Sequence, residues 1–566
     1  MGDKITDTKE HKNLSYDAIV VGSGISGGWA AKELTEKGLK TLVLERGRNI
    51  EHVKDYPTAM KNPWEFKYRT NNSNAALAER PIQSSHCDET NKHFFVKDTE
   101  HPYIQEKSFK WIRGYQVGGR SLTWGRQCYR FSDLDFEANK KDGHGVDWPI
   151  RYKDIAPWYD YVEEYIGVSG QKEGLKQLPD GKFLPPIEMN CIENHLAENV
   201  NANYTDRKVI HGRVANLTES KNGRSKCQYR NLCSRGCPYT AYFSSNGVTL
   251  KDAEVTGNMT LRANSIVKEV LYDAKLNKAI GVRVIDTITK DEIDFYARII
   301  FLNASTIATA SILLNSTSDT FPDGLGNSSQ QVGHNLMDHI ITSGTVGEFD
   351  GYQDKYYSGR NPGAIYIPRF QNLNGKKNKN FIRGYGLQAK GERKGWKEKN
   401  IKGFGASLKE QLAKPGKWGI WLGGRGETLP DFDNKISLNK TQKDQWGLPL
   451  VSVHFKYGSN ELAMIDDMQE AAEEMLKKAG FINVTSYRSN PPPGSAVHEM
   501  GTARMGNDPK TSVLNKYNQM HDVKNVFITD GSCMSSSGSQ NPSLTYMALT
   551  ARACDYAVKE LKKGNI

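Results

Sequence analysis

The sequence lacks the long apolar segments that mark membrane proteins and exported precursors. No window approaches the roughly 18 continuous apolar residues that a membrane-spanning helix requires. The first fifteen residues, MGDKITDTKEHKNLS, also lack the apolar stretch of a secretory signal peptide. We therefore expect no membrane span and no export signal in this chain.

Cysteine is also scarce, with 8 residues in a chain of 566. This density excludes the class of small, disulfide-stapled secreted proteins. Apolar residues make up 37% of the chain and charged residues 25%, glycine occurs 52 times, and there is no internal repeat. Such values are typical of a soluble folded enzyme, and the length predicts two connected domains or one large composite unit.

The formal charge of +11 is spread over a chain in which basic and acidic residues are interleaved. One segment, near 375–418, is more basic and contains several aromatic residues. Such a segment can bind nucleic acid, but no nucleic-acid-binding motif accompanies it. We therefore expect an exposed, mobile insertion there and no nucleic-acid partner.

The N-terminal fifty residues contain a complete βαβ pattern. An apolar run from Tyr16 leads into Gly22-Ser-Gly24-Ile-Ser-Gly27, a helical segment follows, and a second apolar run ends at Glu45. Gly22 permits a tight turn, Gly24 lets a pyrophosphate approach the backbone, and Gly27 allows close packing of the helix. The Glu45 carboxylate can accept hydrogen bonds from ribose hydroxyls. The pattern predicts a dinucleotide site without distinguishing FAD from NAD.

The C-terminal end of the sequence favours FAD. Residues 525–531 have the pattern of a buried strand that ends in the carboxylate of Asp530. Apolar residues at helical spacing then predict a helix that begins at Pro542, with Asn541 as its cap. The positive end of this helix suits the negative charge that a flavin gathers around N1 and O2 on accepting a hydride.

Together these segments resemble the glucose-methanol-choline (GMC) family of FAD-dependent oxidoreductases, over most of the chain. The resemblance rests on the glycine fingerprint, Gly118-Gly119-Arg-Ser121, Asp147-Trp-Pro-Ile150, residues 332–339, and the segments around His498 and Asn541. It implies an α/β fold with an α+β second domain. The first domain is a Rossmann-like FAD-binding domain, and the substrate domain is built on an antiparallel sheet backed by helices.

Strand patterns at 435–438 and 450–455, followed by a helix pattern over 460–479, are the expected source of that antiparallel sheet and its helical cover. We expect a discontinuous FAD-binding domain over 14–130, 225–315 and 490–566. The substrate-binding domain then comprises 131–224 and 316–489.

The resemblance implies that His498 is the catalytic base and that Asn541 orients the substrate oxygen. Oxidation of an alcohol removes a proton from the hydroxyl and a hydride from the same carbon. An imidazole can accept the proton near neutral pH while flavin N5 takes the hydride. The alternative is that His498 is a buried structural histidine and Asn541 only a helix cap.

Residues 118–125 are similar to the corresponding segment of pyranose 2-oxidases, including Trp124. We therefore expect Gly118, Gly119, Ser121 and Thr123 to contact the cofactor. Where those oxidases carry a histidine joined covalently to the flavin, this chain has Thr123, which predicts non-covalent FAD.

Three cysteines, Cys227, Cys233 and Cys237, lie within eleven residues. Their spacing does not match the CxxC pairs of common zinc sites, and no histidine lies among them. Basic neighbours would favour thiolates, which iron ligation requires. Some family dehydrogenases carry a similar group that binds an iron–sulfur cluster. The resemblance implies such a cluster as one alternative, and buried or disulfide-forming thiols are the other.

These features predict an FAD-dependent sugar dehydrogenase, similar to a glucoside 3-dehydrogenase, that oxidises a secondary hydroxyl of a pyranose or glycoside to a ketone. Electrons would pass to a non-oxygen acceptor through a small partner subunit and a cytochrome. Such a chain would reach the periplasm by co-export with a partner that carries a twin-arginine signal, and otherwise stay in the cytoplasm. An oxygen-using pyranose oxidase is one alternative, and a non-catalytic flavin-binding module is another.

Overall fold

The computed structural model describes residues 14–341, 343–355, 359–360, 363–393, 395, 403–488 and 492–566, with the backbone alone at Ser343. The strands are β1 (Ser15–Val21), β2 (Thr41–Leu44), β3 (Ile104–Gln105), β4 (Ile210–His211), β5 (Met259–Arg262), β6 (Ser265–Asp273), β7 (Lys278–Asp286), β8 (Glu292–Leu302), β9 (Ser343–Phe349), β10 (Ile365–Ile367), β11 (Tyr385–Arg393), β12 (Trp418–Gly426), β13 (Lys435–Lys443), β14 (Pro449–His454), β15 (Ile482–Arg488) and β16 (Val526–Ile528). The helices are α1 (Ile25–Glu36), α2 (Asn74–Glu79), α3 (Asp133–Phe136), α4 (Ala138–Asp142), α5 (Tyr152–Ile166), α6 (Cys191–Asn203), α7 (Thr249–Val255), α8 (Thr306–Asn315), α9 (Gly405–Ala413), α10 (Ser459–Lys478) and α11 (Ser543–Lys563). None of the helices in this described part has the length and apolar character that crossing a bilayer requires.

A seven-stranded mixed sheet carries the βαβ unit. Its strands run in the order β5-β2-β1-β8-β7-β6, and β16 pairs with the C-terminal end of β8. The pairs β5/β2, β2/β1, β1/β8 and β8/β16 are parallel, whereas β6 and β7 form an antiparallel extension. Because parallel strands end at one edge of a sheet, the segments after Val21, Leu44, Leu302 and Ile528 come together.

Both faces of this sheet are covered, which explains the continuous apolar runs in β1 and β2. Ala18 and Val20 share a core with Leu34 of α1 and with the buried side of α11. Ile19 and Val21 point to the opposite face and join the largest core. The βαβ unit predicted from the glycine fingerprint is therefore present.

A six-stranded antiparallel sheet forms the other large element, in the order β15-β9-β12-β11-β10-β4. On one face, Ile365, Leu387 and Leu422 are buried against α6 and α10. Gln388 and Arg425 lie on the opposite face, because side chains alternate along each strand. An α/β nucleotide domain combined with an antiparallel sheet backed by helices confirms the predicted fold class.

The hairpin predicted from 435–438 and 450–455 forms, but in a different sheet. β13 and β14 pair antiparallel, and the third strand of their sheet is β3, which is parallel to β14. The two strands form the expected antiparallel pair, but they lie in this three-stranded sheet and not in the six-stranded sheet that α6 and α10 cover. Alternation in a short segment indicates a strand but does not specify which distant strand it pairs with. The helix predicted over 460–479 is α10.

The prediction of an exposed insertion near 375–418 is wrong for β11. This strand lies inside the six-stranded sheet, and its Tyr385, Leu387 and Ala389 side chains are buried. α9, in contrast, has no buried residue. Residues 394 and 396–402 of the predicted insertion lie outside the described residues.

All strands of the seven-stranded sheet fall within 14–130, 225–315 and 490–566, and those of the six-stranded sheet fall within 131–224 and 316–489. The small sheet departs from this division, because β3 belongs to the first group of segments and β13 and β14 to the second. The domain boundaries themselves stay a prediction.

Candidate active site

A cavity of about 720 Å³ opens at the carboxyl edge of the seven-stranded sheet. Its walls come from the segments after β1, β2, β8 and β16, from the loop 495–499, and from β11 and β12. Open α/β sheets bind their ligands at this edge. The cavity therefore brings the predicted nucleotide-binding residues and the predicted catalytic residues around one space.

The turn after β1 is shaped so that a ligand can approach its backbone. Gly22 has a φ of +93°, and a Cβ there would lie 2.4 Å from the carbonyl oxygen of Asn303. A Cβ on Gly27 would lie 1.9 Å from the carbonyl oxygen of Gly22, so only glycine lets α1 pack this close. A Cβ on Gly24 would meet no described protein atom within 4 Å, and Gly24 lines the cavity. This open side, at the N-terminal end of α1, fits a pyrophosphate.

Glu45 follows β2 and forms a buried part of the wall. Its Oε2 accepts hydrogen bonds from the backbone N–H of Ser23 at 3.2 Å and from the Ser23 hydroxyl at 2.5 Å. Its Oε1 accepts from the N–H of Gly47 at 2.9 Å. Burial raises the pKa of the Glu45 carboxyl, and these hydrogen bonds oppose that shift. Each carboxylate oxygen has further acceptor capacity, which ribose hydroxyls could use.

The segment 118–123 packs over the glycine turn. The N–H of Gly118 donates to Ser23 Oγ at 3.0 Å, and Gly119 lies against Gly24. Ser121 Oγ accepts from the backbone N–H of Ser245 at 3.0 Å. The Ser23 hydroxyl donates to the Glu45 carboxylate and accepts from Gly118, so it links Glu45 to the segment 118–123.

Asp530 follows β16 and joins its own turn to the start of α8. Its Oδ2 accepts from the N–H of Ser305 at 2.9 Å and from the Thr309 hydroxyl at 2.6 Å. Its Oδ1 accepts from the N–H of Ser532 at 3.0 Å and from the Ser532 hydroxyl. Burial raises the pKa of this carboxyl. Asp530 thus shapes the cavity wall from which α11 begins.

Most of the predicted cofactor-binding residues line the cavity, namely Gly22, Gly24, Glu45, Gly119, Ser121, Thr123, Asp530 and Pro542. Gly27 and Gly118 do not line the cavity, but they hold residues that do. Gly27 allows α1 to pack against Gly22, and the N–H of Gly118 donates to Ser23. α11 begins at Ser543, one residue after the predicted start, and Pro542 caps it. The glycine turn, the Glu45 carboxylate and the two helix N-termini fit the FAD that the resemblance implies.

His498 and Asn541 meet in the same cavity. His498 Nε2 lies 3.3 Å from Asn541 Nδ2, and Asn541 Oδ1 accepts a hydrogen bond from Gln388 Nε2 at 2.7 Å. Because Gln388 engages the amide oxygen, the amide nitrogen of Asn541 is the donor toward His498. His498 Nε2 is therefore an acceptor.

His339 selects the same tautomer of His498 from the other side. This histidine is fully buried, and its Nε2 lies 2.9 Å from the carbonyl oxygen of Gly538 and 3.2 Å from that of Ser537. Carbonyl oxygens only accept, so His339 Nε2 carries the hydrogen and Nδ1 holds the lone pair. His498 Nδ1 then donates to His339 Nδ1 at 2.9 Å. Both neighbours leave His498 Nε2 unprotonated, with its lone pair directed at the Asn541 amide in the cavity wall.

The surroundings keep both imidazoles neutral. Burial lowers the pKa of His498 well below its usual value, and His339, Arg425 and Arg120 lower it further. Burial lowers the pKa of His339 to about 4. Neutral His498 can accept a proton at neutral pH, as a general base must.

Asp338 holds the loop that carries His498. Its Oδ2 accepts from the backbone N–H groups of Gly494 at 2.8 Å and Ala496 at 3.3 Å, and its Oδ1 accepts from that of His498 at 3.0 Å. Burial and the nearby Glu499 raise the pKa of Asp338 to about 7. Asp338 and His339 are adjacent, so one short segment sets both the backbone position and the tautomer of His498.

The structure does not support the predicted iron–sulfur site. Among the residues described, no group of three or more His, Cys, Asp or Glu side chains is placed to hold a metal ion. The three predicted ligands, Cys227, Cys233 and Cys237, are free cysteines. Burial raises the pKa of Cys227, contrary to the expected thiolate. The nearby Arg224, Arg230 and Arg235 donate hydrogen bonds to backbone carbonyl groups.

Four side chains of the site were missed by sequence reasoning, namely Asp338, His339, Gln388 and Arg425. The first two lie inside the family motif 332–339, but the motif by itself assigns them no role. The other two lie on β11 and β12. The basic residues of the segment 375–418 led to the prediction of an exposed insertion in place of a strand there. The alternation of buried Leu387 and Ala389 around Gln388 was the available signal.

Comparison with known proteins finds similarity over most of the chain. The N-terminal family model of the GMC oxidoreductases matches residues 16–341, and the C-terminal model matches residues 430–550. The chain is 28% identical to 2-methyl-1,2-propanediol dehydrogenase of Mycolicibacterium austroafricanum, over 95% of this chain and 94% of that protein. It is 26% identical to the fructose dehydrogenase large subunit of Gluconobacter japonicus, over 98% of this chain and all of the other.

A solved structure of an Aspergillus oryzae formate oxidase variant shares the fold. The TM-score is 0.61 at 15% sequence identity, and the match covers 97% of this chain and 99% of the oxidase. At this identity the likeness concerns the fold alone.

Proposed function

This chain belongs to the GMC oxidoreductases, enzymes that act on CH–OH groups, and we propose that it is an FAD-dependent dehydrogenase of a pyranose or glycoside. The reaction oxidises a secondary hydroxyl to a ketone. One observation carries the proposal: His498 presents an unprotonated Nε2 to the cavity beside the Asn541 amide. Family membership favours this enzyme over the alternative of a non-catalytic module.

A hydroxyl group that enters between His498 and Asn541 replaces their 3.3 Å contact with two hydrogen bonds. The hydroxyl donates to His498 Nε2, and its oxygen accepts from Asn541 Nδ2. His498 then takes the hydroxyl proton as the C–H bond of the same carbon breaks. Bound FAD supplies the hydride acceptor for that carbon. Gln388 keeps the Asn541 amide in the required orientation.

The substrate class and the electron acceptor are supported by the relatives. One relative is named for fructose, and the other for a small diol. Both are named dehydrogenases, which supports transfer of the electrons to an acceptor other than oxygen. A pyranose oxidase remains the competing assignment.

The test is anaerobic mixing of the holoenzyme with a panel of pyranoses, methyl glycosides and small diols. We expect flavin bleaching with at least one pyranose or glycoside, and NMR of the product should show a ring ketone. Bleaching by diols alone would contradict the sugar assignment. Hydrogen peroxide equal to the sugar consumed in air would identify an oxidase.

We also propose a partner subunit, because the Gluconobacter relative is itself a large subunit. The partner would pass electrons to a cytochrome or a similar acceptor and carry the chain to the periplasm. Affinity purification of the tagged chain from its native cells should recover a stoichiometric small protein. Export of this chain when expressed alone would contradict the co-export proposal.

A further inference from the structure

Arg425 lies at the substrate end of the cavity, on the face of the six-stranded sheet opposite its helices. Its partner across the ladder is Gly386, and Gln388 pairs with Gly423. Because side chains alternate along a strand, Gln388 and Arg425 share one face, and both line the cavity. Arg425 also lowers the pKa of His498, so the two side chains interact electrostatically.

Arg425 differs from most arginines of the cavity in having no carboxylate partner. Arg120 pairs with Glu499 at 2.8 Å, Arg46 with Asp444 at 3.4 Å, and Arg113 with Asp98 at 3.4 Å. Within the described ranges, the hydrogen-bond and ring contacts of the Arg425 guanidinium are the carbonyl oxygen of Gly424 at 2.9 Å and the Trp421 ring centre at 5.9 Å. Elsewhere in the described part of the chain, the Asp338 carboxyl and the Tyr366 and Tyr487 hydroxyls interact with its charge without a hydrogen bond or an ion pair.

Arg126 is a second arginine without a carboxylate partner among the described residues, but it is buried, with 6% of its surface exposed, whereas Arg425 lies on the sheet face that carries Gln388. Arg126 lies over the Tyr242 ring, 5.2 Å from the ring centre, and donates to the carbonyl oxygen of Trp124. The Arg425 guanidinium is half-buried and has one backbone hydrogen-bond partner, so most of its five donors are unused. Such a charge is costly to bury unless a ligand compensates it.

We propose that Arg425 binds an anionic group, a carboxylate or a phosphate, on the sugar whose hydroxyl lies at His498. This inference rests on the proposed function and narrows its substrate class to acidic sugars. Guanidinium groups bind carboxylate and phosphate through paired hydrogen bonds, so the anion would fix the orientation of the ring. Gln388, on the same face, stays hydrogen-bonded to Asn541 and leaves the anion to Arg425.

The test compares matched neutral and anionic ligands on the holoenzyme. Methyl β-glucoside, methyl β-glucuronide and glucose 6-phosphate are titrated by calorimetry, and flavin reduction by each is followed without oxygen. We expect at least one anionic ligand to bind about tenfold or more tightly than the neutral glucoside, the value of a charge-assisted hydrogen bond. The glucuronide and the phosphate distinguish the two sources of charge.

Variants locate the effect. Arg425→Gln should abolish the preference for the anion and leave binding of the neutral glucoside within about threefold, because only the charged contact is lost. Arg425→Lys should retain part of the preference, since it keeps the charge without the paired donors. Lys390→Gln is the matched control, because Lys390 lies on the same face of β11 outside the cavity lining and pairs with Glu392. It should change neither value.

Two results would overturn the proposal. One is equal or weaker binding of both anions relative to the neutral glucoside. The other is an equal loss for neutral and anionic ligands in Arg425→Gln, which would assign Arg425 to the reacting hydroxyl. Failure of the proposed function itself looks different: no sugar reduces the flavin, although the binding preference and its loss in Arg425→Gln are still measurable.

Discussion

At the scale of single residues, the reactivity of His498 depends on the position of one hydrogen. Hydrogen bonds run in one direction from Gln388 to Asn541, to His498, to His339 and to the carbonyl oxygen of Gly538. Reversing any one of them requires the others to reverse, and the final carbonyl cannot donate. The backbone at Gly538 therefore determines which nitrogen of His498 is basic.

Replacing His498 by alanine should leave FAD bound and slow flavin reduction by about 10²–10⁴-fold, the range that a general base supplies. Anaerobic stopped-flow measures the rate, and the flavin-to-protein absorbance ratio measures occupancy. His195→Gln is the control, since His195 contacts the carbonyl oxygen of Ala479 at 2.7 Å outside the cavity lining. An unchanged rate in His498→Ala would remove this residue from the mechanism.

Replacing His339 by alanine should reveal a positioning role through pH. Loss of the Nδ1 acceptor makes both tautomers of His498 accessible, so flavin reduction should slow by about 3–10-fold, equivalent to one hydrogen bond. His339 also helps to lower the pKa of His498, so that pKa should rise in the variant. Protonated His498 cannot accept a proton, and the acid limb of the rate profile should therefore move to higher pH.

The measurement for His339→Ala is the reduction rate constant between pH 4 and pH 8. In the wild-type enzyme we expect a flat profile around neutral pH, since burial keeps the pKa of His498 well below its usual value. A lower rate in the variant with an unmoved acid limb would mean that His339 only supports the local structure.

At the scale of elements, two glycines in the turn from β1 to α1 are expected to have different roles. Gly27 should be needed for folding, and Gly24 should be needed for cofactor binding. Gly27→Ala should prevent correct folding, because the added Cβ would lie 1.9 Å from a backbone oxygen. Gly24→Ala should fold, because its Cβ points into the cavity, and should weaken FAD binding by about tenfold or more through loss of close pyrophosphate contact. Apoprotein melting temperatures and FAD titrations measure the two effects. Equal FAD affinity in Gly24→Ala and wild type would place the pyrophosphate elsewhere.

Sequence reasoning succeeded where the pattern is local. β1, β2, α10 and α11 have strong periodicity within a single segment, and all are present. It failed where the outcome depends on distant partners. β14 pairs with β3, some 350 residues earlier, and β11 is a sheet strand although its sequence is basic.

The site shows the same division. Matched motifs single out His498, Asn541 and the glycine fingerprint, which line or border one cavity, and the roles of these residues stay predictions. The contact between His339 and His498 joins residues 159 positions apart, which no local spacing reports. For the cysteines, local spacing was misleading. Three thiols close in sequence suggested a metal site, yet the described side chains do not form one.

At the scale of the whole molecule, the cavity joins segments that are far apart in the chain. Its walls include the glycine turn after β1, strands β11 and β12 of the other sheet, and the start of α11. A cofactor in this space contacts both large sheets or the loops they carry. Cofactor binding is therefore expected to stabilise the entire chain and not only the βαβ unit.

The link between FAD and the protein is the first property to check at this scale. The resemblance to pyranose 2-oxidases implies that Thr123 takes the place of the histidine that bonds to flavin, so we expect acid precipitation to leave the flavin in the supernatant. Absorbance of supernatant and pellet measures the partition. Flavin retained in the washed pellet would show a covalent bond through another residue.

The second property is the stability of the whole chain when FAD is bound. Because both large sheets contribute to the cavity, FAD should stabilise them together. FAD at about 100 times its Kd should stabilise the folded chain by about 2.7 kcal/mol. ADP at the same concentration should stabilise it much less, because it would contact only the glycine turn and Glu45, whereas the flavin of FAD would also contact the part of the cavity lined by His498 and Asn541. Melting curves of the apoprotein with each ligand give the comparison, and a single transition with FAD is expected. Equal stabilisation by ADP would mean that the βαβ unit alone holds the cofactor and that the walls from β11 and β12 serve only the substrate.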